Sequence, residues 1–339
     1  MRQSGEKLAG KKCLVTGGAG FIGSHLADLL LEEGAQVRVL DNLATGIKEN
    51  LAEHFGKAEF EFLEGSILEP HDLERALQGI ELIFHLACRG VRHSIRHPEE
   101  NHLVNARGTL KLLLAARATE SVRYFAHVSS SEVYGTSRQA AMDEEHPTFP
   151  HTVYGASKLA GEAYARAFNM TYGMPVVVLR PFNVFGPRSH FEGDAGEMIP
   201  KSLLRALTGH PVLVFGEGSQ ERDFTYVTDT ARAIIEITAS GLFTGETVNI
   251  GTGRAVTIKE IAETIISLTP GTNAGIEYTE ARPGDVQRLL CNAGRLKKML
   301  GFAPRVSFEQ GLARVIGWFR ENEKMLGEWY AADTGKNWQ

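Results

Sequence analysis

The chain has only three cysteines, Cys13, Cys88 and Cys291, in 339 residues. Their odd number, wide spacing and apolar or mixed surroundings exclude a disulfide framework or a cysteine metal site and fit reduced thiols. No run of about 18 apolar residues occurs, and the opening MRQSGEKLAGKK has no apolar segment of the secretory kind, so a soluble, cytoplasmic protein without membrane contact is expected. Excess positive charge is missing too. Lys and Arg number 36 against 41 Asp and Glu, a net charge of -5, and with a pI near 6.2 there is no general electrostatic reason to bind nucleic acid. The histidines at 93, 97 and 102 lack a carboxylate or cysteine completing a ligand spacing, so no metal is expected. Internal repeats and low-complexity tracts are absent as well. What is present is a 43% hydrophobic chain, enough to bury the core of one large domain or two.

Short apolar runs alternate with helical patterns. KCLVTG (12–17), QVRVLD (36–41), FEFLEG (60–65), ELIFHLA (81–87), YFAHVSS (124–130) and VVVLR (176–180) read as strands too uniformly apolar for a sheet with one wet face. Between the first two lies IGSHLADLLLEEG, with Leu26, Leu29 and Leu30 on one helical face and Gly34 as its stop. This alternation predicts an α/β fold, a doubly wound parallel sheet with helices on both faces. After residue 181 a long Gly/Pro-rich stretch, PFNVFGPRSHFEGDAGEMIP, leads into shorter elements. A smaller C-terminal part follows, interleaved with the sheet, because TVNIGTG (247–253) still reads as a buried strand and turn.

The first strand runs directly into TGGAGFIG, with Gly17, Gly20 and Gly23 and a helix starting at about Phe21. Glycine suits such a turn because a pyrophosphate must approach bare backbone and the helix must pack closely on the strand. The second strand ends in Asp41, where a carboxylate can accept both ribose hydroxyls of an adenosine. It would repel a 2'-phosphate, and the following NLATG offers no arginine to bind one, so NAD is favoured over NADP. HLA (85–87) would lie along that cofactor at the carboxyl edge of the sheet, with His85 itself read as a packed residue.

Two further stretches carry chemistry. YGASK (154–158) places Tyr154 and Lys158 four apart at the start of a helix, on one face and within reach of one ligand. An ammonium near a phenol favours the phenolate, lowering the pKa from about 10 and equipping Tyr154 to accept a hydroxyl proton. VSSSEVYG (128–135) ends an apolar strand in hydroxyls and an acid. Glu132 is either a turn residue facing water or part of a site at the strand's carboxyl end.

TGGAGFIG, Asp41, HLA, NARGT (105–109), SSSEVYG, YGASK, RPFNVFGPR (180–188) and RDFTYVTD (222–229), in that order, resemble the extended short-chain dehydrogenase/reductase superfamily. More narrowly, they resemble its NAD-dependent nucleotide-sugar epimerases, dehydratases and decarboxylases, over about residues 11–315. The resemblance implies a Rossmann-type NAD-binding domain over 11–181 with returning segments near 222–253. It also implies a nucleotide-sugar-binding domain mainly over 182–330, a nucleoside-diphosphate sugar as substrate, and a homodimer. Residue by residue, it implies Tyr154 as base, Lys158 as its partner on the nicotinamide ribose, and Ser130 on the sugar 4-hydroxyl, with Ser131 and Glu132 beside them. Cofactor contacts would come from Gly17, Gly20, Phe21, Ile22, Gly23, Asp41, Asn42, Ser66, Ile67, Leu86, Ala87 and Lys158. Substrate contacts would come from Ser94, Asn183, Arg222, Arg282 and Arg288, guanidinium suiting a diphosphate. Where the family has Gly-Asp after the third strand, this chain has Gly65-Ser66.

Members of the family first oxidise C4 of the sugar and then diverge. Epimerases need no further acid or base, whereas a 4,6-dehydratase needs a carboxylate beside C5 and a decarboxylase loses the uronic carboxylate. Glu132 resembles the last two, placing 4,6-dehydratase ahead of 4-epimerase, with decarboxylase third. In CRGVRHSIRH (88–97), Arg89, Arg92 and Arg96 line either a solvated helix face or a substrate acid. A non-catalytic NAD-binding regulator on the same fold would be expected to have lost the Tyr154 and Lys158 pair, which is present.

Overall fold

The computed structural model describes residues 8–191, 196–281 and 285–331. Strands β1 (Lys12–Thr16), β2 (Gln36–Asp41), β3 (Phe60–Glu64), β4 (Leu82–His85), β5 (Tyr124–Val128) and β6 (Val176–Pro181) fall on the six apolar runs. Further along lie β7 (Asn183–Phe185), β8 (Val212–Phe215), β9 (Glu221–Tyr226), β10 (Thr247–Ile250), β11 (Ala255–Thr257), β12 (Ile276–Thr279) and β13 (Arg288–Leu289). One parallel sheet runs in the order β10-β6-β5-β4-β1-β2-β3. Its strand order reverses between β1 and β4, which puts a binding crevice at the carboxyl ends of those two strands.

Side-chain alternation explains why the inner strands are largely apolar on both faces, whereas β3, at the sheet edge, exposes Glu61 and Glu64. Successive side chains point to opposite faces. Leu14, Leu40, Ile83, Phe125 and Val178 enter one core, while Val15, Val39, Phe84, Ala126 and Leu179 enter another on the opposite face. Both faces are covered by helices, α1 (Phe21–Glu32), α2 (Pro70–Leu77), α5 (Thr109–Ala118), α6 (Val153–Tyr172) and α8 (Val227–Ser240), while α3 (Val91–Arg96) and α4 (Pro98–His102) pack on α6 and α7 (Met198–Leu207) belongs to the C-terminal part. Among the described residues no helix is long and apolar enough to cross a membrane.

The long helix α6 has clear stop signals. Thr152 caps it by accepting the Gly155 N–H at 3.1 Å, an interaction worth about 1 kcal/mol, and Gly173 ends it at φ 67°, a left-handed value that glycine takes without strain. The C-terminal part has its own core, with Phe185, Leu203, Leu204, Ile261, Leu312 and Phe319 in it, and small sheets built around β9 and from β8 with β12. One boundary moves. The segment expected to return to the main sheet from about 222 does so only from Val227. Strand β9 pairs with β7, β11 and β13 in the small sheet, whereas α8 supplies Ala231, Ile234, Ile235 and Ile237 to the main core and β10 pairs with β6.

Candidate active site

The carboxyl ends of β1, β2, β4, β5 and β6 open into one cavity of about 460 Å³, within the size range of small-molecule sites. Its first half is a glycine cradle. Gly17 has φ 72°, and a Cβ there would sit 2.7 Å from the Ala87 nitrogen; a Cβ on Gly23 would sit 2.2 Å from the Gly17 carbonyl oxygen. These are backbone atoms that cannot swing aside, so glycine is required at both positions.

Asp41 closes this half. Its Oδ2 accepts the Ala19 N–H at 3.0 Å and its Oδ1 the Leu43 N–H at 2.8 Å. Burial pushes its pKa up, and those two N–H groups oppose the rise. Gly17, Gly20, Phe21, Ile22, Gly23, Asp41, Asn42, Ser66, Ile67, Leu86 and Ala87 all line the cavity. Gly65 and Ser66 stand where a Gly-Asp pair was looked for, and a carboxylate is nevertheless close by. Asp72 Oδ2 accepts the Ser66 N–H at 2.8 Å, so this acid holds the turn from behind. A strand-end cradle of bare backbone closed by one carboxylate fits a dinucleotide with a free ribose diol; NLATG itself has no arginine, and Arg89, which reaches the Ala44 carbonyl at 3.4 Å, is paired with Glu100.

The second half holds the hydroxyl chemistry. Ser130, Ser131, Glu132, Tyr154 and Lys158 line the same cavity. Ser130 leaves β5 in an extended conformation and its Oγ accepts the Glu132 N–H at 3.2 Å, capping the one-turn helix Ser131–Val133. That cap directs the acid along the strand end and not back into the sheet. Tyr154 and Lys158 share a face of α6, and Lys158 Nζ donates to the Val128 carbonyl at 2.6 Å, which ties the helix to β5. The Tyr154 pKa moves opposite to the expectation from its sequence. Burial drives it up, Cys88, Glu132 and Glu197 push the same way, and only Ser130 hydrogen bonding opposes them. Lys158, itself buried, has its pKa lowered by desolvation, with Cys88 and Glu162 resisting the change. A helix-face spacing reports proximity but not the cost of removing a phenolate from water.

His85 lies behind this site and does not line it. Its Nδ1 is 2.7 Å from Thr16 Oγ1 and its Nε2 is 2.9 Å from Thr109 Oγ1, so it bridges β1, β4 and α5. Burial lowers its pKa to about 3, and it is a neutral packed residue. The NARGT segment forms a π-helical turn, Leu103–Gly108. Within it Asn105 accepts the Arg89 N–H at 2.8 Å and donates to Ser157 Oγ at 3.1 Å, joining the loop after β4 to α6.

The expected substrate residues divide. Asn183 lines the cavity, and its buried Oδ1 has no hydrogen-bond partner among the described residues, an acceptor that calls for one. Arg222 lines it too and pairs with Asp285 at 2.9 Å. Ser94 does not line it; its hydroxyl donates to the Val91 carbonyl at 2.6 Å inside α3. Arg288 also stays off the lining and pairs with Glu221 at 2.7 Å; in the parallel β13–β9 register it stands opposite Glu221, which alternates along the strand with the lining Arg222. Arg282 lies outside the described residues. Of the arginines at 89–96, Arg89 and Arg92 line the cavity, Arg89 also pairing with Glu100 at 2.6 Å, while Arg96 is exposed.

Several lining residues were not legible in the sequence: Cys88, His190, Glu197, Lys201 and Arg205. Glu197 precedes the first turn of α7, where its N–H donates to the His190 carbonyl at 2.7 Å. Burial pushes its pKa up to about 7, with Arg92 pulling against that rise. The C-terminal core that holds α7 brings it to Tyr154, and no local spacing encodes that.

Residues 14–315 match the family model described as GDP-mannose 4,6 dehydratase. A dTDP-glucose 4,6-dehydratase from Streptomyces niveus is 35% identical over 92% of this chain and 93% of its own. A putative UDP-glucose 4-epimerase from Methanocaldococcus jannaschii is 34% identical over 92% of this chain and 99% of its own. The solved dTDP-glucose 4,6-dehydratase of Streptomyces venezuelae, with NAD bound, superposes at a TM-score of 0.87, with 32% identity over 94% of this chain and 99% of that one. With the cradle, the Asp41 strand end and the Ser130, Tyr154 and Lys158 cluster in one cavity, the chain belongs to the extended short-chain dehydrogenase/reductase family of NAD-dependent nucleotide-sugar epimerases and dehydratases.

Proposed function

We propose that the protein binds NAD in the glycine cradle and acts as a nucleoside-diphosphate-sugar 4,6-dehydratase. The observation that carries this reading is Glu132, a carboxylate in the same cavity as Ser130 and Tyr154, where epimerisation needs none. Bound NAD supplies the acceptor for the hydrogen leaving C4 of the sugar and its return at C6. Tyr154 takes the 4-hydroxyl proton, with Ser130 hydrogen-bonded to the same oxygen. The neighbouring Lys158 charge compensates the burial that otherwise holds the phenol protonated. Glu132 removes the C5 proton, which the C4 ketone has made acidic, and passes it to the departing 6-hydroxyl as water; once hydrogen has returned at C6, C5 takes a new proton from solvent, delivered through Glu132. Asn183 and Arg222 hold the sugar and its diphosphate from the C-terminal side.

A 4-epimerase is the second reading, supported by the relatives of that name and by the sufficiency of Ser130, Tyr154 and Lys158 for it. Product masses from UDP-, dTDP-, GDP- and CDP-hexoses decide between them. The dehydratase reading expects loss of one water, and Glu132→Gln should abolish that loss. A product of unchanged mass from both proteins contradicts it. A cytoplasmic homodimer, proposed from the family resemblance alone, is tested by sedimentation of the purified protein.

A further inference from the structure

Behind the catalytic turn lies a fully buried ion pair that none of the steps above uses. Glu162 is 0% exposed and stands four residues after Lys158 and eight after Tyr154, so the three share one face of α6. Every acceptor position of its carboxylate is engaged. Oε1 takes Ser129 Oγ at 2.6 Å and Arg180 Nε at 2.9 Å; Oε2 takes Arg180 Nη2 at 2.6 Å and Arg166 Nη1 at 3.0 Å. The Arg180 guanidinium lies 4.6 Å from the Tyr134 ring centre. Tyr134 in turn donates from its hydroxyl to Asn249 Oδ1 at 2.7 Å. One network therefore links α6, the end of β5, the 131–134 turn, β6 and β10, and so the segments that carry Tyr154, Lys158, Ser130 and Glu132.

We propose that Glu162, through Ser129 and Arg180, is the positioning residue that fixes Ser130 and Glu132 relative to Tyr154 and Lys158; this rests on the functional reading above. An apolar pair of similar volume would fill the same space at comparable stability, so the ion pair is explained by geometry at the site and not by folding alone. Its charge acts as well. Burial disfavours the Lys158 ammonium, and Glu162 and Cys88 oppose that loss, while Tyr154 shares the lysine's helix face and His85 and His127 lie within its field. Removing the Glu162 charge weakens Lys158 as a cation and so raises the pH at which Tyr154 can act.

The test compares Ser129→Ala, Glu162→Gln, Glu162→Asp and the double variant Glu162→Met with Arg180→Met, the last removing both charges should the single Gln variant not fold. Ser129→Ala should lower kcat on the order of 10- to 100-fold, as a slight misplacement of reacting groups does, with KM and bound NAD near wild type and only the modest fall in Tm that one lost buried hydrogen bond brings. Glu162→Gln, or the double variant, should show the same loss and an acid limb of kcat moved to higher pH; Glu162→Asp should recover part of it. Unchanged kcat and pH profile in variants that fold overturn the proposal. Parallel loss of kcat, KM, bound NAD and Tm also overturns it, since that is a structural role only. A wild-type protein inert toward every nucleotide sugar overturns the functional reading and this inference together, an outcome separate from active wild type with unaffected variants.

Discussion

At the scale of single residues, the site is a contest between burial and charge. Tyr154 is held protonated by its surroundings, so its use as a base depends on the lysine one helical turn away and the hydroxyl of Ser130. Replacing it with Phe removes the proposed base while keeping the ring packing. Tyr154→Phe is expected to lose turnover of any nucleotide sugar by at least about 100-fold, in line with general acid–base contributions, with NAD content unchanged in the purified protein. Glu197 offers a pH prediction. Its folded pKa is raised from 4.5 to about 7, so the native state holds a proton that the unfolded chain has released over that interval. Its contribution to stability is fully present below about 4.5 and is lost as pH rises through about 7. Glu197→Gln should flatten the fall in Tm across that window and remove an ionisation near neutrality from the kcat/KM profile. An unchanged Tm–pH curve would count against the assignment. The charged and titratable groups facing Glu197 are Arg92 from α3 and Tyr154 from α6.

At the scale of elements, legibility followed the range of the interactions. The β1 turn and α1 could be read because every requirement is local: an apolar strand, glycines where backbone meets backbone, then an apolar helix face. Gly23→Ala therefore has a defined cost. A Cβ 2.2 Å from the Gly17 carbonyl oxygen must displace backbone at about 1–3 kcal/mol, the range for overpacking. The expected outcome is a loss of NAD affinity of about 5- to 140-fold by titration, at 1.4 kcal/mol per tenfold, with the sheet intact by circular dichroism. Tyr154 and Lys158 were equally readable from a four-residue spacing. The direction of the Tyr154 pKa was not, because it depends on how much of β5, β6 and α7 closes over the phenol. Ser94 and Arg288 show the same limit from the other side. Their positions in chain order fit the family pattern, but a bond to Val91 and a pairing with Glu221 turn them from the cavity.

At the scale of the whole molecule, a seven-stranded sheet built for a dinucleotide is joined to a second core through β7 and β9, and the cavity lies where the two meet. The main sheet was legible because its inner strands are buried on both faces and hence largely apolar, β10 included, which TVNIGTG announced. The strands of the small sheets were not, since they are defined by their partners and not by a local pattern. The lining that comes from this part, Glu197, Lys201 and Arg205 among it, exists only after the two cores pack. In the proposed reaction, dehydration and epimerisation differ at one atom, the hydrogen on C5. The most direct test is to run the turnover of the accepted nucleoside-diphosphate hexose in deuterium oxide and examine the product by mass and proton spectroscopy. The account predicts a product one water lighter with deuterium at C5, placed there through Glu132; a product of unchanged formula that keeps its original C5 hydrogen would contradict it.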